Sequence, residues 1–296
     1  MLFTSASILK TSSVAVCINT FLPSFSSKQE KSFARIGGKD VDVEYLLPLY
    51  GISVFTYPRF NKYVQRWYTV VDFPVLGANI IDTSTGEPHL PPYKVLERDG
   101  VKIVVLGMIT PAIPAWLSEN LWRGLRFDDM EETARKWMKI IRAKENPDVV
   151  IGLFHAGQDA FKMSGKYNEN ASLNVAKNIP GFDVVLMGHD HARECKKVMN
   201  VAGDSVLVID PASNGVVLSN VDITLKLKDG KVLSKDIQGV LTETKEYGVS
   251  KDFMKHFAPQ YEAVRKFVSK KIGTFTEDIS THPSFFGPSA FIDLIH

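Results

Sequence analysis

Two histidines separated by one residue follow a short apolar run, and they are the residues best suited to chemistry. The run 182–187 is too short for a helix and is followed by Gly188, which is typical of a buried strand. Ligands of open α/β sheets bind beyond the carboxyl ends of the strands. Because residues i and i+2 of an extended segment point the same way, His189 and His191 can face one metal centre.

A third histidine occupies a similar position earlier in the chain. The apolar run 149–154 follows Pro147 and leads into His155 and two small residues. Two parallel strands would bring all three imidazoles to one edge of a sheet. Neutral imidazole is a common ligand of zinc and other first-row ions, so His155, His189 and His191 are the predicted metal ligands. A hydrogen-bonded structural role is the alternative for any one of them alone.

These two histidine motifs resemble the last metal-binding motifs of the calcineurin-like metallophosphoesterases. The motifs are Leu153-Phe154-His155-Ala156-Gly157 and Met187-Gly188-His189-Asp190-His191. Three further stretches are similar to the 5′-nucleotidase and 2′,3′-cyclic-nucleotide phosphodiesterase branch of that family: 72–80 (DFPVLGANI), 92–111 (PYKVLERDGVKIVVLGMITP) and 285–296 (FFGPSAFIDLIH).

The resemblance implies a metal-dependent hydrolase that acts on small nucleotides or other phosphoesters. The family uses two divalent ions, manganese, zinc or similar; His155 and His189 would bind one and His191 the other. The implied fold is an α/β sandwich of the αββα type, with a parallel βαβ half and a mostly antiparallel second sheet. The resemblance also implies a periplasmic or secreted location, although the N-terminal sequence equally allows a cytoplasmic one.

The N-terminal part departs from the family pattern. Ser13 and Ala15 stand where the family has its first Asp and His ligands, and the sequence contains no Gly-Asn-His motif. Neither a neutral hydroxyl nor a methyl group replaces those ligands, so we expect at most one bound ion and impaired catalysis. The alternatives are a non-catalytic remnant or binding module that retains the fold, and a structural zinc bound by three histidines.

The chain divides into four predicted regions. Residues 1–71 form a divergent N-terminal segment, 72–245 the metallophosphoesterase domain, 246–273 an interdomain helix, and 274–296 the start of the family's C-terminal substrate domain. The elements that must position the histidines lie in the second region. They include a hairpin across 98–100, a helix capped by Asp128 with Glu131, and a second helix capped by 168–170.

Several other residues of this region are predicted to be structural. Asn79 resembles the family, but a structural amide bonded to the backbone is favoured for it, in a strand over 73–80. Trp116 and Trp122 are predicted to cover the core. The runs 206–209, 216–226 and 231–241 are predicted to form the second sheet, and a helix to begin at Ser250, with His256 on its solvent side.

Composition limits the class of partner. The chain has 296 residues, 45% of them hydrophobic, and 35 basic against 33 acidic residues give a formal charge of +2. This balance argues against duplex nucleic acid as a partner. Two cysteines make no disulfide framework, and no apolar stretch is long enough for a membrane span.

Overall fold

The computed structural model describes residues 74–158, 166–228, 230–275 and 278–295, and the strand backbone at 13–19, 33–36, 39–42 and 163–164. Most of the segment 1–71, for which the sequence predicts divergence from the family pattern, therefore lies outside the described residues. The chain separates into two compact units with the boundary after Tyr247. Among the described residues, no helix combines the length and apolar character that crossing a bilayer requires.

The described residues form fifteen strands and five α-helices, besides three short 3₁₀ helices. In chain order, strands β1 to β15 are Ser13–Asn19, Phe33–Ile36, Lys39–Asp42, Ile80–Asp82, Tyr93–Arg98, Val101–Ile109, Leu125–Phe127, Val149–His155, Met163–Ser164, Tyr167–Asn168, Val184–Leu186, Arg193–Met199, Ser205–Pro211, Val217–Lys228 and Lys231–Glu243. Helices α1 to α5 are Ile113–Trp116, Met130–Lys144, Ser172–Asn178, Lys251–Val268 and Ala290–Ile295.

A six-stranded sheet of order β12-β13-β11-β8-β6-β5 forms the centre of the first unit. Its four inner strands run parallel, and the two outer strands pair antiparallel with their neighbours. Helix α2 connects β6 to β8 and α3 connects β8 to β11, which are the crossovers that parallel strands need. The predicted parallel βαβ arrangement is confirmed.

The second sheet has the order β1-β14-β15 and is antiparallel. The sequence predicts that the run 206–209 belongs to this second sheet, and this is wrong. The run lies in β13, which pairs parallel with β11 and extends the first sheet. The side chains of 206–211 are buried without alternation, as expected of a strand covered on both faces, whereas buried and more exposed residues alternate along most of β14. The mixed α/β fold with two sheets is nevertheless as predicted.

Alternate residues of the inner strands face two different layers of core. In β8, Val149, Ile151 and Leu153 join the cluster that also contains Val221 and Ile223 of β14, between the two sheets. Val150 and Phe154 join a second cluster with residues of α2 and α3. The sheet therefore carries helices on one face and the second sheet on the other.

Helix α2 begins one residue later than the sequence predicts. Asp129, not Asp128, is its N-cap, and its carboxylate accepts a 2.9 Å hydrogen bond from the Glu132 N–H. Asp128 instead forms a two-bonded ion pair with Arg126, at 2.6 and 3.1 Å. The two neighbouring aspartates therefore have different roles.

The side chain of Asn79 forms hydrogen bonds with the backbone, in a segment that the sequence predicts as strand. Its amide donates to the carbonyls of Ile109 and Asp128 and accepts from the Ile109 N–H, at 2.6, 3.1 and 3.0 Å. Strand β4 starts at Ile80, whereas the sequence predicts strand from residue 73. The structural, backbone-bonding role of this buried amide is confirmed.

Other local predictions agree with the structure. Asp99 and Gly100 form the two-residue turn between β5 and β6, with φ of 48° and 79°. Ser250 caps α4 through a hydrogen bond from the Phe253 N–H, and His256 on this helix is exposed.

Candidate metal centre

Two of the three predicted ligands lie in contact at the carboxyl edge of the parallel sheet. His155 is the last residue of β8, and His189 follows β11 after two residues. The distance between Nε2 of His155 and Nδ1 of His189 is 3.3 Å, and the ring centroids are 5.0 Å apart. The sheet therefore brings these two imidazoles together as the sequence predicts.

The separation of the two nitrogens fits a shared metal ion. First-row ions such as zinc bind imidazole nitrogen at about 2.0–2.1 Å, so two ligands at a tetrahedral angle stand about 3.3 Å apart. The observed 3.3 Å between the nitrogens of His155 and His189 matches that value, and it is also the length of a hydrogen bond between the two imidazoles. These two side chains have the chemistry and the spacing to hold one divalent ion.

His191, the third predicted ligand, is not grouped with His155 and His189. It is exposed, and its backbone has a φ of 59°. Within the part of the chain that the structure describes, no three histidine, cysteine or acidic side chains are grouped closely enough to hold an ion together. His191 is still near enough for its charge to affect His155. Its role as a ligand, like that of the pair, stays a prediction.

Burial keeps the His155 imidazole neutral. Loss of solvent, followed by the charges of His189 and His191, lowers the pKa of His155 from 6.5 to about 3. A metal ligand must be deprotonated to bind. His155 therefore presents a neutral imidazole at all ordinary pH values.

Glu169 is an acidic partner of this pair that the sequence does not predict. Its Oε1 lies 3.0 Å from Nε2 of His189, and both side chains are largely buried. The sequence assigned residues 168–170 to a helix cap, but α3 begins at Ser172 without a side-chain cap. The only available signal was an acid ahead of a helix, which a cap explains equally well.

The segment that carries Glu169 is attached to the strand that carries His155. The Gly157 N–H donates to the side-chain oxygen of Asn170 at 3.0 Å, and the Ser172 hydroxyl donates to the Ala156 carbonyl at 2.6 Å. These buried hydrogen bonds fix the position of Glu169 relative to His155.

Trp116, at the end of α1, covers one face of the His189 ring. The two rings are stacked, with centroids 5.3 Å apart and planes at 27°. The prediction that both loop tryptophans cover the core is correct for Trp122, which packs edge-on against Phe127. It is wrong for Trp116, which is 42% exposed and lies at the site.

Asp190 connects the two histidine loops. Its Oδ2 accepts a 2.7 Å hydrogen bond from the Gln158 N–H, and its Oδ1 accepts from the Ala192 N–H at 3.2 Å. Gly157 lies so close that a methyl group on its Cα would overlap the Asp190 carboxylate. A side chain at position 157 is therefore incompatible with this arrangement.

Asp210 is a buried carboxyl group beside Asp190. Burial, and then the neighbouring Asp190 carboxylate, raise the pKa of Asp210 from 3.8 to about 9. Oδ2 of Asp210 has no hydrogen-bond partner among the described residues, whereas Oδ1 accepts from the Ala212 N–H at 3.2 Å. Asp210 is therefore protonated at neutral pH.

No family model matches the chain. The 2′,3′-cyclic-nucleotide 2′-phosphodiesterase/3′-nucleotidase of Yersinia enterocolitica is 26% identical over 261 residues, which is 79% of this chain and 39% of that protein. The calcineurin-like phosphoesterase YfkN of Bacillus subtilis superposes with a TM-score of 0.56 at 24% identity, over 68% of this chain and 65% of that one. The chain is therefore similar in sequence to a nucleotide phosphoesterase and shares the fold of a calcineurin-like phosphoesterase.

Two further matches are to proteins named as 5′-nucleotidases. A 5′-nucleotidase of Vibrio cholerae is 31% identical over 134 residues, 44% of this chain and 24% of that protein. A putative 5′-nucleotidase of Staphylococcus aureus has a TM-score of 0.59 at 19% identity, over 78% of this chain and 43% of that one. The chain spans 37 to 39% of the length of three cyclic-nucleotide phosphodiesterases that it matches.

Proposed function

We propose that this chain carries the metal-binding part of a hydrolase that cleaves phosphoester bonds of small nucleotides. The proposal rests on one observation: His155 and His189 meet at the carboxyl edge of the sheet with the spacing of two ligands of one ion. The names of the relatives supply the substrate class, nucleoside monophosphates or 2′,3′-cyclic nucleotides.

Each residue of the centre has a separate task in this proposal. His155, kept neutral by burial, and His189 would hold the ion. The exposed His191, which is not grouped with them among the described residues, is kept as the third predicted ligand. A divalent ion at this point would polarise the phosphoryl oxygen and make water a nucleophile at neutral pH. Glu169 would hold His189 by its other ring nitrogen.

We expect the ion to bind weakly and catalysis to be slow. Three imidazoles carry no negative charge to offset a second divalent cation. Ser13 and Ala15 stand at the positions where the family resemblance places an Asp and a His. The proposal is therefore one ion at most. The periplasmic or secreted location implied by the resemblance also stays a prediction.

A hydrolysis assay tests the proposal. Purified protein is incubated with an aryl phosphodiester and with 2′,3′-cyclic nucleotides, in the presence of Mn²⁺ or Zn²⁺ and again after chelation. Slow turnover that requires the ion and disappears in His189→Ala supports the proposal. The matched control is His256→Ala, an exposed histidine of α4, which is expected to leave turnover unchanged.

Two results would contradict the proposal. Turnover that survives both chelation and the His189→Ala change would place the reaction elsewhere. Absence of any ion bound at the histidines, measured by calorimetry with Zn²⁺ and Mn²⁺, would remove the metal centre itself.

A further inference from the structure

The His189 imidazole is contacted at both nitrogens and on one face. Nε2 lies 3.0 Å from the Glu169 carboxylate, Nδ1 lies 3.3 Å from His155, and the Trp116 indole stacks on the ring. The His189 side chain is 18% exposed and that of Glu169 is 5% exposed. The ring therefore has little freedom to turn.

The contact with Glu169 decides which nitrogen can bind an ion. A carboxylate only accepts hydrogen bonds, so the proton of a neutral His189 belongs on Nε2. Nδ1 is then left with its lone pair facing His155. Without the carboxylate, the proton is free to occupy either nitrogen. In the molecules that carry the proton on Nδ1, this atom has no lone pair to offer an ion.

Trp116 acts on a different degree of freedom of the same ring. The last residue of α1 places its indole 5.3 Å from the imidazole, nearly parallel to it. Rotation about the Cβ–Cγ bond of His189 would break this stack. An indole face also attracts positive charge, so the stack should strengthen when the imidazole shares the charge of a bound cation.

We propose that Glu169 and Trp116 are positioning residues that hold His189 with Nδ1 as its metal-binding atom. Glu169 fixes the tautomer and Trp116 fixes the plane of the ring. The proposal rests on the proposed function, because it assumes that His189 is a ligand. Neither residue touches the ion or the substrate.

Calorimetric titration with Zn²⁺ tests the two residues separately. Loss of a carboxylate that supports a metal-binding histidine weakens ion binding by about 10- to 100-fold, which is the effect expected for Glu169→Gln. Its matched control is Glu131→Gln, since Glu131 also accepts a side-chain hydrogen bond, from Asn178, on the helical side of the sheet. The control should bind Zn²⁺ as the unchanged protein does.

For Trp116, an aliphatic and an aromatic substitution form the test. Trp116→Leu should weaken Zn²⁺ binding about two- to fivefold, as expected for loss of an exposed cation–π contact. Trp116→Phe keeps an aromatic face and should restore most of the affinity. If Glu169→Gln binds Zn²⁺ as tightly as the unchanged protein, the role of Glu169 is overturned. If Trp116→Leu binds Zn²⁺ as tightly as the unchanged protein, the role of Trp116 is overturned.

A second measurement separates this proposal from that of the metal centre. Long-range ¹H–¹⁵N NMR spectra of the metal-free protein report the tautomer of His189, which should be Nε2–H in the unchanged protein and a mixture in Glu169→Gln. A dominant Nδ1–H tautomer in the unchanged protein would overturn the positioning role of Glu169. If no ion binds but the Nε2–H form is present and depends on Glu169, the metal centre fails while the positioning of His189 stands.

Discussion

Asp210 is the residue whose protonation should have the largest effect on stability. Its folded-state pKa of about 9 exceeds the unfolded value of 3.8, so the folded protein binds more protons between these values. The stability that it contributes is complete below about pH 4 and is lost as the pH rises through about 9. The slope from one such group is at most about 1.4 kcal/mol per pH unit.

Asp210→Asn should remove this part of the pH dependence. An amide has the shape of a protonated carboxyl group and can donate to Asp190, but it does not titrate. Urea unfolding at intervals from pH 6 to 9 should show a smaller loss of stability in the variant. The control is Asp222→Asn, an exposed aspartate of β14. Equal slopes in Asp210→Asn and the unchanged protein would contradict the raised pKa.

Gly157 and Gly188 form a matched pair beside the histidines. A methyl group at 157 would overlap the Asp190 carboxylate, whereas one at 188 meets no atom within 4 Å. Gly157→Ala should therefore displace the turn that carries His189, lower the free energy of unfolding by about 1–3 kcal/mol and weaken Zn²⁺ binding. Gly188→Ala should do neither. Equal Zn²⁺ affinities of the two variants, by calorimetry, would show that the turn adapts.

The histidines could be predicted from the sequence because their signal is local. An apolar run followed by His specifies both the strand and the edge at which His155 and His189 appear. Glu169 and Trp116 could not be predicted in the same way, because their roles depend on contacts with His189 that only the folded chain creates. Local sequence rules assign Glu169 to a helix cap and Trp116 to the core.

Helix α2 offers a test at the scale of a single element. Asp129 caps the helix through the Glu132 N–H, and Asp128 only pairs with Arg126 at the surface. Asp129→Ala should cost about 1 kcal/mol in the free energy of unfolding. Asp128→Ala should cost less than about 1 kcal/mol, since exposed ion pairs contribute little. Urea denaturation of both variants decides between them, and a larger loss in Asp128→Ala would restore the cap predicted from the sequence.

Strand assignment shows what the sequence can decide at this scale. The sequence predicts strands at 206–209, 216–226 and 231–241, and the structure has a strand at each, but the sequence gives β13 to the wrong sheet. Sheet membership depends on which side chains are covered on both faces, and a run of four apolar residues carries little information about its neighbours. The buried residues 206–211 reveal the difference only after folding.

At the scale of the whole molecule, the candidate centre belongs to one of the two compact units. His155, Glu169, His189 and Trp116 all precede the boundary after Tyr247. Removal of residues 248–296 should therefore leave Zn²⁺ affinity within about twofold, or about 0.4 kcal/mol. Calorimetry on the shortened and full chains makes the comparison, with circular dichroism to verify folding. A large loss of affinity in a folded fragment would mean that the second unit contributes to the centre.

The alternation along β8 also limits how this chain can change in length. Val149, Ile151 and Leu153 face the second sheet, and His155 continues their spacing. Deleting one residue from the strand would turn the imidazole towards the helices, as a one-residue slip does in any sheet. Deleting two residues would return the imidazole to its original side of the sheet. It would also move the ring about 6.6 Å back from the carboxyl edge of the sheet. Insertions and deletions should therefore be excluded from β8 and confined to loops, even where many substitutions are tolerated.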